Sequence, residues 1–454
     1  MFRRKKWTAA GAPTTSGSGP ALRRARHVAG GVTVVGLLAA AAVGSGTTGA
    51  AAAVPPGSLD TAFGTGGIVT TNLTALGAGG EEATMQEPNG DILVDLFQGM
   101  LRFLPNGQVD TSFGTNGLAT GILVEGGAAM AVQPNGQIIT SGVNLAGPAT
   151  SPAAGITRLN ANGTVDTTFG TDGTTTIPVT LAGRATTVGA GALLVQSDGK
   201  ILVAGSASVQ TGRRTGVTDG VVARLNANGT LDTTFGTGGL TLITANQFPT
   251  GLGLDASGDI FALPGQSQLS TQPGVTELSL SGQLDATVTP EPLTATSAGY
   301  PVDKTNDQFV FSQNEHPSGF EGFIDPEIIR FTTAGAVASD TGLFPFTGTS
   351  LFVQDFVNAV AVLPNGQALA IGSHTLVRAT GTTGAITESA FARVNPNGTL
   401  DSSFGTGGMA LTNVNFTSGG FGALFPQSDG TAITVGEGTL SSGQTGLVIA
   451  RFNL

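Results

Sequence analysis

One thirteen-residue phrase is written four times in this chain. It reads "NGQVDTSFGTNGL" at 106–118, "NGTVDTTFGTDGT" at 162–174, "NGTLDTTFGTGGL" at 228–240 and "NGTLDSSFGTGGM" at 397–409. Its core, D-x-x-F-G-x-x-G, also opens at Asp60, and decayed copies put Asp285 and Ala338 in phase. A catalytic motif is needed once; a motif that returns at intervals of roughly 50–66 residues is architecture.

Two further elements keep step with it. The first is an apolar run, a tight turn and a second apolar run: "MQEPNGDILVDL" (85–96), "AVQPNGQIITSG" (131–142), "LVQSDGKILVAG" (194–205), "GLDASGDIFALP" (253–264), "AVLPNGQALAIG" (361–372) and "FPQSDGTAITVG" (425–436), with "VDKTNDQFVFSQ" (302–313) as a weaker member. Asn-Gly or Asp-Gly between apolar runs signals a β-hairpin, because both central residues tolerate positive φ. The other element alternates apolar and polar residues and ends near an arginine: Arg102, Arg158, Arg224, Arg330, Arg393 and Arg451, with Glu277 in the seventh place. Where both are intact, arginine precedes aspartate by eight residues, as in Arg102 and Asp110, Arg158 and Asp166, Arg224 and Asp232, and Arg393 and Asp401.

Each unit thus carries four short strands, and seven such units predict an all-β fold: a seven-bladed β-propeller of four-stranded antiparallel blades. The last residues, "ARFNL", continue into "GSLDTAFGTGG" at 57–67, so the ring is expected to close where the N- and C-terminal ends meet. Residues 1–53 combine a basic start, a short apolar run and Ala51-Ala52-Ala53, the pattern of a cleaved signal peptide; Arg23-Arg24 leaves both the general and the twin-arginine export routes open. Residues 54–454 are then one secreted domain, at the cell surface or outside the cell. Without the leader, 12 basic residues face 30 acidic ones, a net charge of −18, which disfavours nucleic acid and anionic membranes. The chain has no cysteine, and no later stretch is long and apolar enough to span a bilayer.

The residues "RLNANGTLDTTFGTGG" and "QSDGKILVAGS" resemble the delta-60 repeat family of exported bacterial β-propeller proteins. The resemblance runs from about residue 58 to 454 and fades around 276–350, where Phe-Gly is missing. It implies a propeller fold and export, and it supplies no catalytic residues.

The motif residues Asp60, Phe63, Gly64, Asp110, Phe113, Asp166, Phe169, Asp232, Phe235, Asp401 and Phe404, with Arg158, Arg224 and Arg393, are read as scaffold. Aspartate would hold a turn, phenylalanine fill the gap between blades, and glycine take positive φ. A calcium site would need several carboxylates in one loop. Only "DASGD" (Asp255, Asp259) and "DKTND" (Asp303, Asp307) approach that, so no cofactor is expected, with calcium the metal the loops come nearest to; two histidines cannot make a three-histidine zinc site, although carboxylates could complete one. The sequons at Asn72, Asn162, Asn228, Asn397 and Asn415 include three in the repeated turn, which explains those three without glycosylation. His316 and His374 are assigned to irregular loops without a nucleophile motif nearby.

Strand alternation places the hairpin turns and the Asp-Phe-Gly links at one end, nearly constant between units. The other end varies, with long loops at 142–155, 206–220, 313–327 and 373–389. Function is expected there. The candidate contacts are Arg213 and Arg214, a basic pair on an acidic protein, and Glu315, His316, Phe320, Glu321 and Phe323. The sequence reads as a monomeric binding scaffold for a protein or a cell-envelope glycan. The alternative is an extracellular glycan-active hydrolase or lyase using loop carboxylates such as Glu81, Glu82, Glu321, Asp325 and Glu327.

Overall fold

The computed structural model describes residues 54–73, 80–97, 99–122, 129–144, 153–212, 215–243, 249–255, 257–264, 275–288, 302–303, 308–315, 325–332, 337–342, 344, 346, 353–376 and 386–454. All of its described elements are strands. After β1 (Ile68–Thr71) come sheet I, made of β2 (Glu81–Gln86), β3 (Ile92–Leu96), β4 (Gly99–Phe103) and β5 (Leu118–Ala119), and sheet II, made of β6 (Met130–Val132), β7 (Ile138–Asn144), β8 (Ala153–Leu159) and β9 (Thr174–Thr175). A separate hairpin, β10 (Pro178–Leu181) and β11 (Arg184–Thr187), precedes sheet III: β12 (Gly189–Val195), β13 (Ile201–Gln210), β14 (Gly216–Leu225) and β15 (Leu240–Ile243). Sheet IV holds β16 (Pro249–Leu254), β17 (Ile260–Pro264), β18 (Val275–Leu278) and β19 (Leu284–Val288); sheet V holds β20 (Val302–Asp303), β21 (Gln308–Glu315), β22 (Asp325–Thr332) and β23 (Val337–Asp340).

Sheet VI has seven strands. It runs from β24 (Val353–Val362) through β25 (Ala368–Leu376), β26 (Ile386–Val394), β27 (Met409–Pro426), β28 (Thr431–Leu440) and β29 (Thr445–Asn453) to β1. Strand β27 serves twice: Met409 to Phe416 pairs with β26, and Phe416 to Pro426 pairs with β28. At the far edge β1 pairs antiparallel with β29, Ile68 opposite Ala450 and Thr71 opposite Leu447.

Successive sheets stack face to face, which explains why middle strands such as β3 are buried along their whole length rather than on alternate residues. Met85 and Phe113 of sheet I meet Met130 and Ile138 of sheet II. Phe169 of sheet II meets Leu193 and Val203 of sheet III, and Phe235 of sheet III meets Ile260 and Leu278 of sheet IV. Phe261 of sheet IV lies 4.8 Å from Phe309 of sheet V, centroid to centroid. Val310 and Ile328 of sheet V pack on Val357 and Val360. Phe425, Ile433 and Ile449 of the β1 half of sheet VI pack on Ile92, Val94 and Phe103 of sheet I. Each phenylalanine so buried contributes roughly 1.5–3 kcal/mol.

Two details differ from the sequence reading, and a third sharpens it. Of the two residues that tolerate positive φ in each hairpin turn, only the glycine adopts it. Gly90, Gly136 and Gly199 do, at +92°, +81° and +82°, while the Asn or Asp before each does not. Gly90 N–H donates to Glu87 O at 2.9 Å, Glu87 N–H to Asp91 O at 2.8 Å, and Asp91 N–H to Asn89 Oδ1 at 3.1 Å. That is a type I turn closed by a glycine bulge; Pro88 suits it, because proline fixes φ near −65° where the mirror-image turn needs a positive value, and Gln196 to Lys200 closes the same way with Ser197 in the proline place. The supposed long loop at 206–220 is mostly strand, since β13 and β14 reach Gln210 and Gly216, and the one at 373–389 is strand at both ends, since β25 and β26 reach Leu376 and Ile386. Threonine and serine hydroxyls facing across each pair, Ser208 with Thr218 at 2.8 Å and Thr375 with Thr387 at 3.0 Å, suit paired backbone there. His374 accordingly stands on β25, not in an irregular loop.

Candidate functional site

At the end carrying the repeated motif, each arginine is clamped. Arg Nε donates to aspartate Oδ2 at 2.8 Å (Arg102 to Asp110), 2.8 Å (Arg158 to Asp166), 2.7 Å (Arg224 to Asp232) and 2.7 Å (Arg393 to Asp401). Arg451 makes the same bond to Asp60 at 2.7 Å, although 391 residues separate them. The guanidinium lies over a phenylalanine ring 4.5 Å away at Phe113, 4.7 Å at Phe169, Phe235 and Phe404, and 5.2 Å at Phe63. The other aspartate oxygen accepts the N–H two residues on, at Ala62, Ser112, Thr168, Thr234 and Ser403. The Ser403 hydroxyl and the neighbouring donors hold Asp401 down at about 2, and Thr234, Lys200 and Arg224 drive Asp232 further below the usual range.

These clamps also join neighbouring sheets. Arg102, Arg158 and Arg224 each donate from Nη1 to a carbonyl of the next sheet, at Ala161, Ala227 and Leu280 (2.6, 2.5 and 2.6 Å). The next turn's glycine lies flat on the phenylalanine ring. A Cβ at Gly163, Gly229 or Gly282 would come within 2.9, 2.9 or 2.7 Å of Phe113, Phe169 or Phe235. Only glycine allows that approach. Carboxylate, guanidinium and ring at this end are occupied with one another.

Sheet IV departs from the pattern. Glu277 stands in the arginine place, Asp285 in the aspartate place and Val288 in the phenylalanine place, with Asp255 and Asp259 in the adjoining turn. Burial, then the neighbouring carboxylates, pushes both Asp259 and Glu277 above their ordinary values. Among the described residues no three His, Cys, Asp or Glu side chains gather as a metal-holding group.

The opposite end holds what the sequence reading missed. Five first strands carry a β-bulge, between Glu81 and Ala83, Ala190 and Ala192, Pro249 and Gly251, Val357 and Ala359, and Phe421 and Ala423. Glu81 N–H donates to Glu437 Oε2 at 2.9 Å, and burial raises the Glu81 carboxyl above its ordinary range. In sheet VI the register aligns Asp355, His374, Glu388 and Asn415 across β24, β25, β26 and β27. Residues directly opposite in antiparallel strands share a face, so these four side chains form one polar row. Asp355 is fully buried. Its Oδ1 lies 2.6 Å from His374 Nδ1, and its Oδ2 accepts Phe346 N–H at 2.7 Å. Burial raises the Glu388 carboxyl, with His374 pulling it the other way.

Three segments, 133–169, 196–235 and 378–404, match the family model described as "Domain of unknown function (DUF5122) beta-propeller". These segments match β-propeller repeats, in a chain whose described elements are all strands.

Solved structures similar to this chain include the extracellular domain of a candidate one component system from B. thetaiotaomicron, at 12% identity and a TM-score of 0.44, covering 86% of this chain and 40% of that one. A protein of unknown function from Dyadobacter fermentans is similar at 11% identity and a TM-score of 0.42, covering 86% and 98%. The polysaccharide lyase Uly1 is similar at 12% identity and a TM-score of 0.37, covering 76% and 92%. This chain thus spans less than half the length of the first of these chains. No curated protein matches the chain.

Of the contacts proposed from sequence, Arg213, Arg214, His316, Phe320, Glu321 and Phe323 lie outside the described residues. Glu315 ends β21 with its backbone opposite Asp325. The turn asparagines Asn162, Asn228 and Asn397 accept the N–H of Thr164, Thr230 and Thr399 at 3.1, 3.1 and 3.0 Å. No described helix is long and apolar enough to cross a membrane.

Proposed function

We propose that this protein is an exported binding scaffold, a member of the delta-60 repeat group built as a closed ring of seven four-stranded blades over residues 54–454. Sheets I to V supply five blades, and sheet VI supplies two that share β27. Closure through β1 and β29 is supported by their ladder and by the Arg451–Asp60 clamp, which repeats the geometry of the clamps formed within one blade. The contrast between the two ends carries the functional reading. Clamps between sheets occupy the motif end. The other end carries the bulged strands, the uneven strand extensions and polar groups such as Glu81, Glu437 and Glu388. A rigid scaffold with one variable end is how loops are presented to a partner. The partner is a secreted protein or a cell-envelope glycan.

The test is capture of wall glycans and secreted proteins by the purified protein, comparing changes at the two ends. Glu388→Gln, or replacement of the 206–215 segment, is expected to abolish capture, while Lys200→Gln at the motif end leaves it intact. Loss of capture only on motif-end changes, with folding preserved, would overturn the assignment of ends. A second reading, a glycan hydrolase or lyase, is favoured by the Asp355–His374 pair beside Glu388, an orienting pair next to a carboxyl with a raised pKa. Time-dependent cleavage of a polysaccharide that Glu388→Gln abolishes would select it.

A further inference from the structure

We infer that His374 Nε2, the Glu388 carboxylate and Asn415 Oδ1 form a binding site for a first-row divalent cation, with Asp355 holding the imidazole from behind. The three donors stand on adjacent strands β25, β26 and β27, directly opposite one another in register. A buried carboxylate can only accept, so His374 Nδ1 carries the proton toward Asp355, and Nε2 presents its lone pair away from it. A histidine whose far nitrogen donates to a carboxylate is the arrangement that metal-ligating histidines adopt, because it fixes the tautomer and the ring. Asp355 is itself fixed by Phe346 N–H at 2.7 Å.

The third donor rests on a separate observation. Asn415 Oδ1 is buried and has no hydrogen-bond partner. Such an oxygen is destabilising unless something satisfies it. Glu388, between the two, is half-buried. One imidazole nitrogen with two oxygens suits zinc, manganese or iron better than calcium, which takes six to eight oxygens. Three protein donors leave a tetrahedral ion one open position, at the end of the propeller where loops vary. The inference stands apart from the choice between binding scaffold and enzyme.

Calorimetric titration of the chelator-stripped, full-length protein with zinc, manganese and calcium chlorides tests it. One equivalent of zinc or manganese should bind, in preference to calcium. His374→Gln and Glu388→Gln should weaken binding at least tenfold, and Asp355→Asn ten- to 100-fold. Asn415→Asp should tighten it, a gain that misfolding cannot produce. In a His316→Gln background, zinc should shift the His374 Nε2 nitrogen resonance. Absence of stoichiometric binding, a preference for calcium, or binding unchanged by His374→Gln and Glu388→Gln would overturn the site.

Discussion

The motif-end corners of sheets III and IV share a backbone plan and carry opposite chemistry. In sheet III, Arg224 and Lys200 face one carboxylate, Asp232, at 2.7 and 3.1 Å, and Phe235 lies under the guanidinium. In sheet IV the corresponding places hold Glu277, Asp259, Asp285 and Val288. Asp232 is driven below the ordinary carboxylate range, whereas Asp259 and Glu277 are pushed above it. The blade plan therefore does not require the clamp. Apolar stacking and the hairpins suffice to build sheet IV, and the clamp adds stability at a seam. That contrast can be broken in both directions.

The largest effect should follow from giving sheet III the residue of sheet IV. Arg224→Glu leaves the buried Asp232 facing a second carboxylate and strips the Leu280 carbonyl of its donor. Urea unfolding should show a loss of about 3–5 kcal/mol. Phe235→Val, the matching change beneath it, should cost about 2 kcal/mol through the cavity it opens. The reverse graft, Glu277→Arg, should stabilise the protein by about 1 kcal/mol near neutral pH. That gain should shrink in acid, where the raised carboxyls of sheet IV are already neutral.

Sheet I lies between these extremes. Arg102 is present, but Glu87 stands 3.6 Å and Asp91 3.9 Å from it beside Asp110. Burial, only partly offset by Arg102, holds Glu87 at about 7. A pKa raised on folding means that the contribution of Glu87 is full below its unfolded value and is lost as pH rises through about 7. Glu87→Gln, which copies Gln133 and Gln196 of sheets II and III, should therefore raise stability by about 1 kcal/mol at pH ~8 and leave it unchanged at pH ~4. The smallest change should be Lys200→Gln. Gln137 and Gln367 already occupy that place elsewhere and reach Asp166 at 2.6 Å and Asp401 at 2.9 Å. A loss below about 0.5 kcal/mol is expected, and a larger one would give the exposed lysine a weight that surface pairs rarely have.

The all-β character was legible in the sequence because local signals carry it: alternating runs, tight turns and a motif repeated in phase. The turn type was left open, since Asn-Gly and Asp-Gly suit more than one kind of turn. The polar row of sheet VI was not legible at all. Asp355 and His374 lie 19 residues apart, without counterparts in other units, and only strand register brings them and Glu388 and Asn415 together. Strand ends were also placed too early, which left His374 in a loop. Repetition reveals what every unit shares and hides what a single unit adds.

Strand β27 has a consequence for how this chain can change over time. Loops between sheets can absorb insertions, and the link from sheet II to sheet III already holds a whole extra hairpin. The link through β27 has its slack in one place, the bulge where Leu411 to Asn415 spans Glu388 to Ala390 of β26. On either side of it the strand is committed to a ladder, and losing a residue from the paired stretch Ala423 to Pro426 would turn the side chains beyond it to the wrong face. Insertions can accumulate in the loops between sheets, but at this junction a change of length has only that bulge to absorb it.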